Sequence, residues 1–310
     1  MKSAFLFETH AQGKLLLTGE YFVLDGATAL AMPVRFGQSL RAEEFGEAGR
    51  LAWVSKNPDG TAWFEAEFEL PSLRALQFSD EKTAETLSAI LLACQTQRPH
   101  FFLENQSLRV ATQNDFPREW GLGTSSSLIA ALARWADADP YKILSDTLGG
   151  SGYDIACAYA DGPILFHLEG QTPKIAPALF APSFSPQLYF VFLGKKQDSR
   201  AGIARYRERA LKNPETVFET TRLTHRFLNA KTLAEFEAVL LAHELLVAEA
   251  IGLPRAKDLY FHDFWGEVKS LGAWGGDFVL ATSERPEDET RLYFKQKEFE
   301  VFLPWREMKT

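Results

Sequence analysis

Residues 120–127 read Trp-Gly-Leu-Gly-Thr-Ser-Ser-Ser and run directly into an apolar-periodic stretch, and this junction constrains the chain more than any other. Its glycines, Gly121 and Gly123, let a backbone approach a bulky anion and turn its N–H groups inward. The helix predicted to follow, from about Ser125 to Trp135, directs its positive end at the same point. One Ser or Thr is enough to cap a helix. Gly-x-Gly followed by Thr124, Ser125, Ser126 and Ser127 is more than a cap requires, so the junction predicts a phosphate-holding loop. Other phosphate loops are excluded by pattern. No G-x-x-x-x-G-K-[ST] run exists, Ser126 stands where a dinucleotide loop needs its third glycine, and the HRD and DFG elements of protein kinases are absent.

Two further glycine-bearing stretches follow. Gly149-Gly150-Ser151-Gly152-Tyr153-Asp154 places an aspartate in a glycine turn. Lys269-Ser270-Leu271-Gly272-Ala273-Trp274-Gly275-Gly276-Asp277 precedes a predicted strand at 278–282. Alone, the first reads as a turn and the second as a helix stop. The ordered conjunction of three such stretches is far more specific.

The rest of the chain bounds the setting. With 310 residues, 46% hydrophobic and 24% charged, it is long enough for one large domain or two medium ones. A net charge of -8 and a pI of about 5.4 speak against a nucleic-acid partner. An acidic chain that takes an anionic ligand must concentrate its Lys and Arg locally. Cys94 and Cys157 lack metal or disulfide spacing and read as core thiols. No apolar run of membrane-spanning length and no leader pattern is seen, so the expectation is a cytoplasmic protein without a membrane partner.

Periodicity predicts strands at 38–43, 51–55, 62–68 and 101–110, with a hairpin at Asp59-Gly60, and one bent or two short strands over 14–24. Helices are predicted at 83–97, after Asp139-Pro140, and at 202–211, 215–228 and 232–251, with strands at 188–193 and 298–303. The four prolines of 173–186 read as a linker between domains at 1–175 and 186–310. The second half therefore reads as α+β, with helices laid on an antiparallel sheet.

On these residues the chain resembles the GHMP kinases, which include galactokinase, homoserine kinase, mevalonate kinase and phosphomevalonate kinase. Gly13-Lys14-Leu15-Leu16-Leu17-Thr18-Gly19-Glu20-Tyr21 is similar to the family's first motif. Pro117 with Gly121-Leu122-Gly123-Thr124-Ser125 is similar to the second, Gly152-Tyr153-Asp154 to the acidic motif, and residues 272–277 to the third. The resemblance implies a two-domain α+β fold, a ribosomal-S5-like N-terminal domain and a ferredoxin-like C-terminal one, binding ATP and Mg²⁺. It implies that Gly121, Leu122, Gly123, Thr124, Ser125 and Ser126 cradle the ATP phosphates and that Ser125 helps hold the metal. Asp154 and Lys14 become the catalytic pair. Glu20, Tyr21, Gly272, Ala273, Gly275 and Gly276 become substrate contacts, in a monomer or homodimer.

Gly19-Glu20-Tyr21 and Gly275-Gly276-Asp277 look like the phosphomevalonate kinase versions of their motifs. A phosphate acceptor is already largely ionised at pH 7 and needs cations more than a strong base. Lys195, Lys196 and Arg200, at a predicted strand end, are the expected contacts for such an anionic small molecule. Several features depart from the family pattern. The stretch between Ser127 and Asp154 is short and lacks the helix that usually brings an acidic metal ligand, for which Asp146 is a substitute candidate. Trp274 stands where the family usually has glycine. Two alternatives stay open: a kinase for mevalonate or another small alcohol, and a non-catalytic nucleotide sensor.

Overall fold

The computed structural model describes residues 6–195, 199–209, 213–274 and 277–310. In chain order the strands and helices are β1 (Phe7–Leu16), β2 (Ala29–Glu44), β3 (Arg50–Lys56), β4 (Ala62–Glu69), β5 (Ala75–Phe78), α1 (Glu81–Gln97), β6 (Ser107–Asn114), α2 (Thr124–Ala136), α3 (Pro140–Thr147) and α4 (Tyr153–Ala158). There follow β7 (Ile164–Glu169), β8 (Thr172–Pro177), β9 (Leu188–Phe192), α5 (Ser199–Arg209), α6 (Pro214–Asn229), α7 (Leu233–Ile251), α8 (Ala256–Tyr260), β10 (Val268–Ser270), β11 (Phe278–Thr282), α9 (Glu287–Gln296), β12 (Phe302–Pro304) and α10 (Trp305–Met308). Contacts divide the chain into two compact units.

The first unit holds residues up to 13, 36–118 and 122–159. Its strands run in the order β5-β4-β3-β6-β2, with β3 and β6 parallel and the other pairs antiparallel. Burial alternates along β3 and β6, as one covered face requires. That face (Leu51, Trp53, Leu108, Val110) forms one core with Leu87, Ile90 and Leu91 of α1, Ile129 and Leu132 of α2, and Ile143 of α3. Asp80 and Asp139 cap α1 and α3 by accepting the N–H of Thr83 at 2.8 Å and of Tyr141 at 2.9 Å.

The second unit holds residues 14–35, 119–121 and 160–310. The start of β2 pairs with β7, and β7 with β8. A second sheet runs β10-β11-β9-β12, antiparallel throughout. Helices lie between its first and second strands and between its third and fourth. The order second-third-first-fourth is that of a ferredoxin-like β-α-β-β-α-β unit, as expected. Its core joins Tyr189, Val191, Val268, Val279, Phe294 and Phe302.

Both cysteines are free and buried, as expected. Several predicted elements are corrected. Residues 22–25 form a 3₁₀ turn rather than a strand, because Gly19 (φ 87) and Tyr21 (φ 62) break any extended run. The predicted strand at 101–110 begins only at Ser107. The aromatic run before it is a turn in which Phe101 packs on Trp135 at 4.8 Å between ring centroids. The prolines of 173–177 belong to edge strand β8, where a missing N–H is tolerated. The expected boundary at 175–186 therefore does not coincide with the division by contacts. Helix α9 was not predicted: it buries only Thr290 and Phe294, too few residues for a readable stripe. No helix among the described residues is long and apolar enough to cross a membrane.

Helix α7 opens with a capping box. Thr232 Oγ1 accepts the Glu235 N–H at 3.2 Å while Glu235 Oε2 accepts the Thr232 N–H at 3.3 Å. Thr232→Ala is expected to lower unfolding stability by about 1 kcal/mol, read as a shifted urea midpoint with an unchanged slope.

Candidate active site

In the first unit, the loop of 122–127 is anchored by fully buried Leu122 and turned into α2 by Gly123, which sits at φ 96. Gly123 occupies the cap position and no side chain caps the helix. The first-turn N–H groups are left for a ligand or solvent. The serines divide their work. Ser126 is buried and donates its hydroxyl to the Gly123 carbonyl at 2.9 Å. Ser127 donates to the Thr124 carbonyl at 3.1 Å and to Gln38 Oε1 at 3.3 Å. The Ser126 hydroxyl is thus engaged within the turn, and its backbone N–H is what it can offer an anion. Thr124 is half-buried and Ser125 exposed, so the Ser125 hydroxyl faces outward.

Asp154, half-buried, lies in the first turn of α4, which follows Gly152 at φ 86. Its Oδ1 accepts the Ile155 N–H at 3.0 Å. The Tyr141 ring lies against Gly152, 3.0 Å from where a Cβ would stand. Burial first, then the Asp154 charge, push the Tyr141 phenol up. Helix α4 is held to α2 by Arg134, which donates to the Ala158 carbonyl at 2.6 Å, and by Tyr159, whose hydroxyl donates to the Ala130 carbonyl at 3.1 Å. Asp146 is exposed on α3, 4.0 Å from Lys142 one turn away.

In the second unit, Lys14 Nζ donates to the Gly121 carbonyl at 3.0 Å. Gly121 sits at φ 70, and the Asp277 carboxyl carbon lies 2.7 Å from the position a Cβ would take. Only glycine fits there. Trp120 stands edge-on to Phe278 with centroids 5.7 Å apart, and Leu193 donates its N–H to the Asp277 carbonyl at 2.9 Å. Lys14, Gly121 and Asp277 are therefore neighbours. Gly272 (φ 63) and nearly buried Ala273 lead from β10 toward Trp274. Lys195 and Arg200 are both exposed. Lys196, Gly275 and Gly276 lie outside the described residues.

Glu20 and Tyr21, expected as substrate contacts, are both buried. Glu20 is 1% exposed, and its Oε1 takes the ammonium of Lys269, itself fully buried. Lys269 also donates to the Ser270 carbonyl at 2.8 Å. Tyr21 is 7% exposed and stacks on Tyr206 at 5.7 Å. Burial pushes its phenol up to about 12, against a backbone hydrogen bond from Trp274 that favours the charged form.

Two neighbours from α7 complete this buried group. His243 Nε2 accepts the Gly19 N–H at 2.9 Å, so the ring is neutral. Burial, then the Lys269 charge, holds it well below its ordinary range. Glu244 accepts the Ser270 N–H at 3.0 Å and faces the Ser270 hydroxyl at 3.4 Å. Burial pushes Glu244 up to about 8 despite the opposing pull of Lys269. The sequence analysis gave no role to Lys269, His243 or Glu244. The available signal was charge inside apolar runs: His243-Glu244 within Leu240 to Val247, and Lys269 between Val268 and Leu271.

No group of three or more His, Cys, Asp or Glu among the described residues is arranged to hold a metal. Mg²⁺ is commonly held by one or two protein oxygens plus phosphates and waters. The exposed Ser125 hydroxyl and the Asp154 carboxylate are oxygen donors of the kind such an ion accepts, and in that sense the residues fit it.

Comparison with solved structures shows the fold. The L. major mevalonate kinase in complex with R-mevalonate is similar with a TM-score of 0.68 at 18% identity, over 96% of this chain and 93% of that one. The Methanococcus jannaschii mevalonate kinase gives 0.70 at 15% identity, over 98% of both. The Streptococcus pneumoniae phosphomevalonate kinase in complex with phosphomevalonate and AMPPNP gives 0.69 at 15% identity, over 96% of this chain and 99% of that one. This chain has the GHMP kinase fold. No protein-family model matches the sequence, and no curated protein matches it.

The raised pKa of Glu244 has a stability consequence with a definite sign. The unfolded carboxyl ionises near 4.5 and the folded one near 8, so this contribution is full below about 4.5 and is lost as pH rises to about 8. Glu244→Gln keeps the hydrogen-bonding shape without the charge. It is expected to raise unfolding stability at pH 8–9 by about 4 kcal/mol, with the gain vanishing near pH 4.5, read as urea midpoints across pH.

Proposed function

We propose that this chain is an ATP-dependent kinase that phosphorylates a small anionic acceptor, of the kind 5-phosphomevalonate represents. The observation that carries this reading is the glycine-capped N-terminus of α2, whose first turn has no side-chain cap. Helices α1, α3, α6 and α7 are all capped by side chains, from Asp80, Asp139, Asn213 and Thr232. An anion such as the ATP phosphates satisfies the open N–H groups and the helix dipole together.

The named residues then take roles. Gly121 to Ser126 cradle the phosphates by backbone N–H groups, and Ser125 adds an outward oxygen. Mg²⁺, held by the phosphates with help from Ser125 and Asp154, would supply neutralisation of the charge that develops on transfer. Lys14, fixed on the Gly121 carbonyl, places a cation beside the loop entrance. Asp154 orients the acceptor and takes its proton where it carries one. Lys195 and Arg200 supply exposed positive charge for an anionic acceptor in a chain of net charge -8. The solved structures favour this class and leave the acceptor open between two adjacent substrates, since the L. major structure is titled with R-mevalonate and the S. pneumoniae structure with phosphomevalonate.

The test is ADP release from Mg-ATP with 5-phosphomevalonate, mevalonate, galactose and homoserine offered separately. Turnover with 5-phosphomevalonate alone is expected. Turnover with mevalonate alone would move the assignment to the alcohol acceptor, and silence with all four would defeat the reading. Asp154→Asn is expected to lower kcat by about 10²–10⁴-fold for an alcohol acceptor and by less for a phosphate one.

A further inference from the structure

Residues 120–121 and 277–278 are far apart in the chain and meet twice. Trp120 stands edge-on to Phe278, with ring centroids 5.7 Å apart. One residue earlier than Phe278, the Asp277 carboxylate packs against Gly121. A Cβ on Gly121 would stand 2.7 Å from the carboxyl carbon, 2.7 Å from Oδ1 and 2.9 Å from Oδ2. No side chain tolerates contacts that short, so the carboxylate takes the space that any residue but glycine would need at 121.

The two sides of this contact are held independently. On the aspartate side, Phe278 is 1% exposed, pairs with Phe192 in the ladder of β9 and β11, and packs on its ring at 5.4 Å. The Asp277 carbonyl accepts the Leu193 N–H at 2.9 Å. The sheet thus sets the backbone from which the carboxylate extends. On the glycine side, Lys14 of β1 donates to the Gly121 carbonyl at 3.0 Å. Gly121 is bonded in turn to Leu122, where the loop leading into α2 begins. The carboxylate also reaches the third glycine-rich stretch, since Oδ2 lies 3.9 Å from where a Cβ on Gly272 would stand. By charge, a carboxylate at the entrance of an anion-holding loop opposes the anion. Its shape, not its charge, accounts for its place there.

We propose that Asp277 is a positioning residue for the phosphate loop: by filling the space beside Gly121 it holds that residue in its left-handed turn and sets where the chain enters residues 122–127. The part that concerns phosphate binding rests on the kinase reading above. The packing of Asp277 on Gly121 does not.

ADP affinity is measured by titration calorimetry, and stability by urea unfolding, for Asp277→Ala, Asp277→Asn, Gly121→Ala and the double variant Gly121→Ala with Asp277→Ala. Asp277→Ala empties the space and is expected to weaken ADP roughly fivefold, at the low end of couplings between a site and a residue outside it. Asp277→Asn refills the space and removes a negative charge, so ADP should bind within about twofold of the wild type or more tightly. Gly121→Ala must push the carboxylate or the turn aside and is expected to weaken ADP roughly tenfold or more. In the double variant the collision is gone. It should bind ADP better than Gly121→Ala and unfold at a higher urea midpoint, although it carries one more substitution. Thr232→Ala is the control: it lowers stability away from this contact and should leave ADP affinity unchanged. Additive losses in the double variant would overturn the proposal, as would Asp277→Asn binding as weakly as Asp277→Ala, or an unmoved ADP affinity in Asp277→Ala. If the wild type binds no ADP, the kinase reading fails, while the urea midpoints still decide whether Asp277 packs on Gly121 as described.

Discussion

The ion pair between Lys269 and Glu20 is the constraint around which the second unit is arranged. Both side chains are essentially out of solvent. Taking two such ions from water costs several kcal/mol each, and the attraction between them repays this only with close geometry and further hydrogen bonds. The ammonium meets these terms through the Glu20 carboxylate and the Ser270 carbonyl. The carboxylate is less well served, since Glu20 Oε2 has no hydrogen-bond partner among the described residues. A pair of this kind is weak evidence for stability in itself. An arrangement that separates the two residues would strand a bare charge in an apolar core.

The surrounding residues keep the local charge near zero. His243 is neutral through burial, and its unprotonated nitrogen serves the Gly19 N–H. Glu244, pushed up to about 8, is mostly uncharged at neutral pH. Burial raises the Glu20 carboxyl as well, and the neighbouring Lys269 charge pulls it back down. That balance fixes which backbone groups can approach: Gly19 from the turn after β1, and Ser270 from the end of β10. The loops leading to Tyr21 and to Trp274 are thus placed by one electrostatic arrangement.

The sequence disclosed the elements whose signal is local. Apolar periodicity gave α1, α2, α6 and α7 close to their observed bounds, and Asp139-Pro140 marked the start of α3. The Gly-x-Gly junction before α2 was legible because glycine at positive φ has few substitutes. What stayed hidden depends on residues far apart in the chain. Glu20 was expected at the substrate from its place in the first motif, and the lysine it pairs with is 249 positions away. The turn at Tyr21 was misread as strand because its strain is imposed by Gly19, His243 and Tyr206 rather than by its own sequence. The serines of 125–127 looked equivalent, yet pitch decides their fates: Ser126 and Ser127 reach back to the carbonyls three residues earlier, and Ser125 does not.

The difference between the glycine-started and the side-chain-capped helices carries the argument about function furthest. A Ser, Thr, Asn or Asp cap stabilises a helix by about 1 kcal/mol over alanine and by a few tenths over glycine. The chain uses such caps at Asp80, Asp139, Asn213 and Thr232, while α4, α8, α9 and α10, like α2, start without a side-chain cap. At α2 a glycine takes the position, although Thr124 and the serines beside it are good capping residues. Moving one of them a single position toward the N-terminus would give a capped helix. Its side-chain oxygen would then occupy the inward-turned N–H groups, and an incoming anion would have to displace it. Glycine at φ 96 leaves those groups open, and the Ser126 and Ser127 hydroxyls fold back on the turn to hold its shape instead. On the kinase reading proposed above, those open groups are where the ATP phosphates bind.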